Sequence, residues 1–278
     1  MIDNITIGAD PELFIVDKTN NKVISSVGLI PGKKGEPYVA DNMPKGFGIE
    51  IDNILGEFNI PPTSSKEGFV NNIEYMKNYI DDFIKSKNPN YTIQCIASRM
   101  VDDDQLTSPE AREFGCSIDY NAYTRKANPK PKGTSTNLRS AGFHIHVGYD
   151  HPSVNLSLNL IKLFDVYLGI PSILIDKDTK RRSLYGKAGA FRLTKYGFEY
   201  RTLSSYLMSK KEYLTLIWDL MARAFTGDYS PSDFDQDKVQ YIINNSDSNL
   251  AKEFLRETRI LSRYPSSAIL RFINYAEI

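Results

Sequence analysis

The chain is poor in the residues that mark several classes of protein. It has two cysteines, Cys95 and Cys116, in 278 residues. That is too few for a disulfide framework and fits a reducing compartment. Only three histidines are present, so imidazole chemistry falls on very few positions. Neither sign of charge is in excess: 34 basic and 34 acidic side chains give a formal net charge of zero. This argues against a chain-wide electrostatic grip on nucleic acid or an anionic membrane. Apolar stretches are broken by polar residues well short of the roughly 18 positions a bilayer span needs, so no membrane segment is expected. The opening Met-Ile-Asp-Asn-Ile-Thr-Ile-Gly has no cationic head before an apolar run, so no secretory signal is expected and a cytoplasmic location follows.

What is there is ordinary for a globular protein: 41% hydrophobic and 24% charged residues. No repeat or composition shift divides the chain, so residues 1–278 read as one domain, with C-terminal helices from about 209. Ile5 to Asp17 and Val23 to Val27 read as a hairpin, with a bulge or a sheet edge at Pro11. Gly48 to Asp52 and Leu55 to Ile60 read as a second strand pair, stopped by Pro61-Pro62. Ser64 and Glu67 form a capping box before a helix with Phe69, Ile73, Met76, Ile80 and Phe83 on one stripe. Strands are expected at Tyr91 to Met100, Ala141 to Tyr149 and Tyr196 to Leu203. Helices are expected at Val154 to Leu168, after a Ser209/Glu212 cap, and two or three times beyond Phe234. This order predicts an α+β fold with a mainly antiparallel sheet and helices on one face. Thr124 to Ser140 reads as a mobile loop and a candidate lid, and Asp102-Asp103-Asp104 as a solvated loop or cap.

Four strands carry polar residues two apart, which places each pair on one face. Asp10 and Glu12 are two carboxylates; Glu57 and Asn59 follow Glu50 and Asp52. His144 and His146 are two imidazoles, and Glu199 and Arg201 an ion pair. Each pair alone can be structural. Assembled in one sheet they would line a trough too charged to be core. With Mg²⁺ such a trough suits nucleotide phosphates. The run Arg181 to Arg192 adds three arginines and Lys187 among small residues. It can serve as a phosphate grip or as a solvated basic loop.

The segments Gly8-Ala9-Asp10-Pro11-Glu12-Leu13-Phe14, Gly56-Glu57-Phe58-Asn59-Ile60-Pro61-Pro62, Gly142-Phe143-His144-Ile145-His146-Val147-Gly148, and Arg182 to Gly189 through Phe198 to Leu203 occur in this order. Together they resemble the phage-type COOH–NH2 ligases (amidoligase type 2), which are similar to the glutamate–cysteine ligase and glutamine synthetase superfamily. The resemblance runs from about residue 5 to about residue 210. It implies a funnel-like, sheet-based site that binds ATP and two or three Mg²⁺ or Mn²⁺ ions. It implies Asp10, Glu12, Glu57, His144 and Glu199 as metal ligands, with Glu50 or Asp52 left open as further ones. His146, Arg192 and either Arg182 or Lys187 would bind the nucleotide phosphates, and Arg201 would grip the transferring phosphoryl or the substrate carboxylate. Glu199, Arg192 and Arg201 would act at the reacting centre. The family's first pair is Glu-x-Glu; here the first carboxylate is shorter and a proline intervenes.

The activity implied is ATP-dependent amide formation through an acyl phosphate, joining a small-molecule or peptide carboxylate to an amine, in the host cytoplasm for a phage-encoded enzyme. Two other readings use the same trough: a metal-dependent phosphotransferase acting on a carboxylate or guanidino group, and a non-catalytic nucleotide- or metal-binding module. No nucleophilic Ser or Cys is required, so Cys116 reads as structural. Asp119 and Asn121 are possible substrate contacts, and His151 a surface or capping residue.

Overall fold

The computed structural model describes residues 3–112, 119–129 and 136–261. Its strands are β1 (Thr6–Asp17), β2 (Lys22–Ile24), β3 (Gly48–Asp52), β4 (Leu55–Thr63), β5 (Tyr91–Gln94), β6 (Ser98–Met100), β7 (Tyr120–Asn121), β8 (Leu138–Ser140), β9 (Phe143–Gly148), β10 (Ala190–Thr194) and β11 (Gly197–Tyr200). The helices are α1 (Lys66–Lys87), α2 (Pro109–Arg112), α3 (Val154–Phe164), α4 (Ile170–Ile175), α5 (Arg181–Leu184), α6 (Lys211–Ala224), α7 (Gln236–Asn245) and α8 (Ser248–Thr258). The architecture is α+β, with one large antiparallel sheet in the order β3-β4-β1-β9-β11-β10-β7. The far half of β1 also pairs with β2 and β5.

Alternation sorts the sheet into two faces. Ala9, Phe58, Phe143, Ile145, Val147, Phe198 and Tyr200 are buried in the main core, packed under helices. Phe69 of α1 stacks on Phe143 at 6.3 Å between ring centroids. Phe164 of α3 meets Phe198 and Tyr200 edge-on at 5.5 and 5.4 Å. The opposite face carries the polar pairs.

Several local expectations need correcting. Pro11 lies in a central strand, not at an edge, and the register shift in β1 falls earlier, between Ile7 and Ala9. Pro61 and Pro62 do not stop β4, which runs on to Thr63 and pairs there with Ile7. The cap of α1 is Ser65, whose hydroxyl accepts the Gly68 N–H, and α6 starts at Lys210 without a side-chain cap. The 91–100 strand is two strands, β5 and β6. The basic run is not a loop: it forms α5 and β10, with Arg181 and Arg182 buried.

The expected 124–140 loop is structured at both ends. A turn at 121–124 is held by the Asn121 side chain, and β8 pairs with β6; residues 130–135 lie outside the described residues. Cys116 also lies outside them. Cys95 is half-buried, and its surroundings push the thiol up to about 11, which disfavours the reactive thiolate. The helical run 154–175 is longer than expected. By length and composition it passes as a membrane span, but 89% of its most apolar window is buried inside the protein. It is a core helix, with a π turn at Asp165–Gly169.

Candidate active site

Residues directly opposite in an antiparallel pair share a face, so the register alone assembles the site. Glu50 opposes Glu57, and Glu57 opposes Glu12. Asp10 opposes His144. His146 lies between Gly8 and Glu199, and Glu199 opposes Arg192. Carboxylates therefore occupy the β3-β4-β1 side of the trough, imidazoles the centre and arginines the β11-β10 side.

On the arginine side, Glu199 accepts from Arg192 Nε at 2.7 Å and Nη2 at 2.9 Å, and also from Arg201 Nη1. Burial alone would raise the Glu199 pKa, but Arg201 and Arg192 hold it below the ordinary carboxylate value. In the centre, His144 Nδ1 stands 3.6 Å from both Asp10 Oδ1 and Glu199 Oε1. Burial, with the Arg201, Arg181 and Arg192 charges nearby, keeps this imidazole neutral, its pKa well below the usual value. His146 behaves oppositely: burial works against its charged form, but the Asp10 carboxylate beside it prevails and raises the pKa. His146 Nδ1 meets the Tyr196 hydroxyl at 2.6 Å. Beyond it lies a groove of about 390 Å³ lined by Gly8, Asn59, Pro62, Gly148 and Tyr196.

Among the described residues, two groups of side chains have the geometry to hold a cation. Asp10, His146 and Glu199 can each bring one ligand atom within 4.8 Å of the others, and so can Glu12, Asp52 and Glu57. In the first group, Asp10 Oδ1 and His146 Nε2 face each other at 3.0 Å, yet both are buried without a hydrogen bond. These two atoms and a Glu199 carboxylate oxygen are spaced closely enough to share one ion. In the second group, burial and the Asp52 charge push Glu12 up to about 7, and burial with Asp10 and Asp52 raises Glu57 well above its ordinary value. One ammonium serves three carboxylates there: Lys34 Nζ lies 2.7 Å from Asp52 Oδ1. Glu12 also accepts the Gly142 N–H at 2.6 Å. Oxygen-rich sets of this kind fit Mg²⁺ or Mn²⁺.

The structure thus brings Asp10, Glu12, Glu57, His144, His146, Glu199, Arg192 and Arg201 into one trough. Arg182 stands elsewhere: its Nη1 and Nη2 reach Ser246 and Ser172 at 3.3 and 3.4 Å, behind the sheet. Lys187 is exposed and lines a neighbouring pocket with Asp119, Asn128 and Tyr185. Asn121 holds its own turn and the Ala188 carbonyl. His151 is exposed, and Asp102 and Asp104 pair with Lys22 at the surface.

The sequence leaves Asp52 open, offers Arg181 only within a basic run and does not single out Lys34. The one available signal for Arg181 was its place beside Arg182; Lys34 sits in a Gly-Lys-Lys-Gly turn, where surface charge is the default.

Gly142 makes room for the first histidine. A Cβ there would lie 2.4 Å from His144 Nε2. Gly142→Ala is therefore expected to displace the ring and weaken Mn²⁺ binding by about tenfold or more, read by electron paramagnetic resonance titration. Unchanged Mn²⁺ affinity would place the ion away from His144.

No curated protein matches the chain. Residues 133–268 match the model of the phage phiEco32-like COOH.NH2 ligase-type 2 family. The matched span contains both histidines, α5, β10 and β11; the carboxylates of β1 and β4 precede it. The family's name describes joining a carboxyl to an amino group, and over residues 133–268 this chain is similar to that family.

Proposed function

We propose that the protein is an ATP- and Mg²⁺-dependent carboxylate–amine ligase with a funnel-like site of the glutamine synthetase and glutamate–cysteine ligase kind. Its 278 residues act as one catalytic domain in the cytoplasm, on a small-molecule or peptide carboxylate and an amine. The observation that carries this reading is Glu199: a buried carboxylate clamped by two arginines at the junction of an acidic and a cationic wall. The family match supports the ligation chemistry.

Asp10, His146 and Glu199 would hold one divalent ion and Glu12, Asp52 and Glu57 another, with His144 within reach of the first. Bound there, such ions would offset the charge of the phosphate oxygens. The chain's own part is positioning. Arg192 and Arg201 face the transferring phosphoryl and stabilise its charge as the acyl carboxylate oxygen attacks the γ-phosphorus and ADP leaves. The amine then attacks the acyl phosphate, giving the amide and inorganic phosphate. The groove beside Tyr196 has room for the nucleoside. Burial of the trough keeps water from the acyl phosphate.

A screen of carboxylate and amine pairs for ADP release tests this. Release is expected only when both substrates and Mg²⁺ are present. A phosphorylated acid that persists under excess amine would assign a phosphotransferase instead.

A further inference from the structure

The core helical run carries a carboxylate that packing alone does not call for. Asp165 opens the π turn between α3 and α4, and its side chain is fully buried against β11. Oδ1 accepts the Tyr200 hydroxyl at 2.7 Å and Oδ2 the Tyr123 hydroxyl at 2.9 Å. The Gly189 N–H donates to the same carboxylate. The Thr202 hydroxyl, 3.4 Å away, is shared with the Lys187 carbonyl at 3.0 Å. Among the described residues every donor to Asp165 is a hydroxyl or a backbone N–H, and no ion pair offsets its charge.

A leucine or phenylalanine here would avoid burying a charge. The surrounding fold is nevertheless shaped for the acid. The π turn interrupts the regular helical ladder, and such turns gather where a helix serves a site. Gly169, at its end, leaves the space the hydrogen-bonded pair occupies. A Cβ there would lie 3.0 Å from the Tyr200 hydroxyl oxygen and 3.4 Å from Asp165 Oδ1. Acid, π turn and glycine together form a socket for that hydroxyl.

What the socket holds is the backbone on either side of Arg201. β11 ends at Tyr200, so Arg201 lies just past the regular strand. Its N–H bonds the Ala190 carbonyl at 2.9 Å, and Ala190 follows the tethered Gly189. Tyr200 and Thr202 point to Asp165 on the core side, while Arg201 between them reaches Glu199 on the polar face.

We propose that Asp165 is a positioning residue of the active site: from the core side of the sheet, through Tyr200 and Thr202, it fixes the Arg201 guanidinium for phosphate. The assignment of Arg201 to phosphate rests on the ligase reading, and the test keeps the two apart.

Mg²⁺–ATP is titrated calorimetrically at about pH 8.5, above the value of about 7 to which burial pushes Asp165. Folded Asp165→Asn protein is expected to bind it about tenfold or more weaker, because small displacements of a positioned group are costly. In an Arg201→Gln background the same substitution should cost no further affinity, since a positioning residue acts only through the group it places. A residue that merely held the core together would cost the same in both backgrounds, and that result overturns the proposal. So does wild-type affinity in Asp165→Asn. Should Asp165→Asn not fold, Tyr200→Phe takes its place under the same two criteria; it keeps the ring against Phe164 and removes the hydroxyl. A second readout needs no nucleotide. The Arg201 guanidinium NMR signal, assigned by its loss in Arg201→Gln, should shift in either variant while that of Arg139 in β8 stays. An unmoved Arg201 signal in a folded variant overturns the proposal, and so do signals of both arginines moving together, the mark of general loosening. If the wild type does not bind Mg²⁺–ATP and only the Arg201 signal moves, the ligase reading falls and the positioning role stands.

Discussion

Glu57→Gln is expected to stabilise the metal-free protein and to abolish the stabilisation that Mg²⁺ gives the wild type. Glu57 sits with Glu12 and Asp52 in a group whose ligand atoms lie within 4.8 Å of one another. All three are buried, at 8%, 8% and 5% exposure. Lys34 pairs with Asp52 and Gly142 donates to Glu12, but among the described residues nothing donates a hydrogen bond to the Glu57 carboxylate. Burial, then the charges of Asp10, Asp52 and Glu12, raise its pKa well above the ordinary value.

The sign of the pH effect follows from that direction. Below about pH 4.3, where an unfolded glutamate is already protonated, the group costs the fold nothing. As pH rises from there through the raised folded-state value, the folded protein holds a proton that the unfolded chain has released, and stability is lost. Glu12, raised to about 7, adds a loss of the same sign up to that pH. A neutral glutamine removes the Glu57 share. At about pH 8 this is a gain in stability, at about 1.4 kcal/mol for each pKa unit. That corresponds to several degrees in Tm for a chain of this size, at roughly 2–4 °C per kcal/mol. Thermal melts of both proteins in EDTA and in excess MgCl₂ check it. A variant no more stable than wild type in EDTA, or one that keeps the full Mg²⁺ gain, would sink the assignment of this group as a cation site.

Much of the trough was legible because strand periodicity is strict. Asp10 with Glu12, His144 with His146, and Glu199 with Arg201 had to share faces once their segments were strands. What periodicity leaves undetermined is register and neighbour order. That Asp10 meets His144, or that Glu57 stands between Glu50 and Glu12, depends on pairings between segments as far apart as 134 positions. For the same reason the sequence alone does not set His146 beside Asp10 and Glu199.

The arginine run shows a different limit. Charged residues in succession read as solvated, yet Arg181 and Arg182 are buried where α5 packs against β8, and β10 then delivers Arg192 opposite Glu199. Pro11 and Pro61-Pro62 misled in the same way. A missing N–H argues against a central position only where that N–H would face a partner strand.

Glu199→Gln is the variant expected to damage turnover most, by on the order of a thousandfold or more, comparable to removing one preorganised charge from a transition-state site. Without nucleotide, the Glu199 carboxylate occupies both arginines, Arg192 through two bonds and Arg201 through one. On the proposed function, a nucleotide phosphate would compete with it for those guanidiniums. The exchange is productive only if the freed carboxylate is itself satisfied, which the neighbouring Asp10 and His146 allow when a cation joins all three.

Removing the charge separates the two roles. Arg192 and Arg201 become more available, so nucleotide binding in EDTA should strengthen several-fold, by roughly 1 kcal/mol for charged hydrogen bonds no longer contested. Mg²⁺-dependent ADP release should be lost at the same time. A carboxylate that merely braced the fold would weaken both. Glu199 and Arg201 are both buried, and removing one charge of a buried ion pair costs stability on the order of 3–5 kcal/mol, so a melt must accompany the titration. Tighter metal-free nucleotide binding by a folded but inactive Glu199→Gln protein is the expected signature. If a folded variant instead binds nucleotide more weakly in EDTA and loses activity only in proportion, Glu199 does not contest the two arginines with phosphate, and the proposed exchange fails.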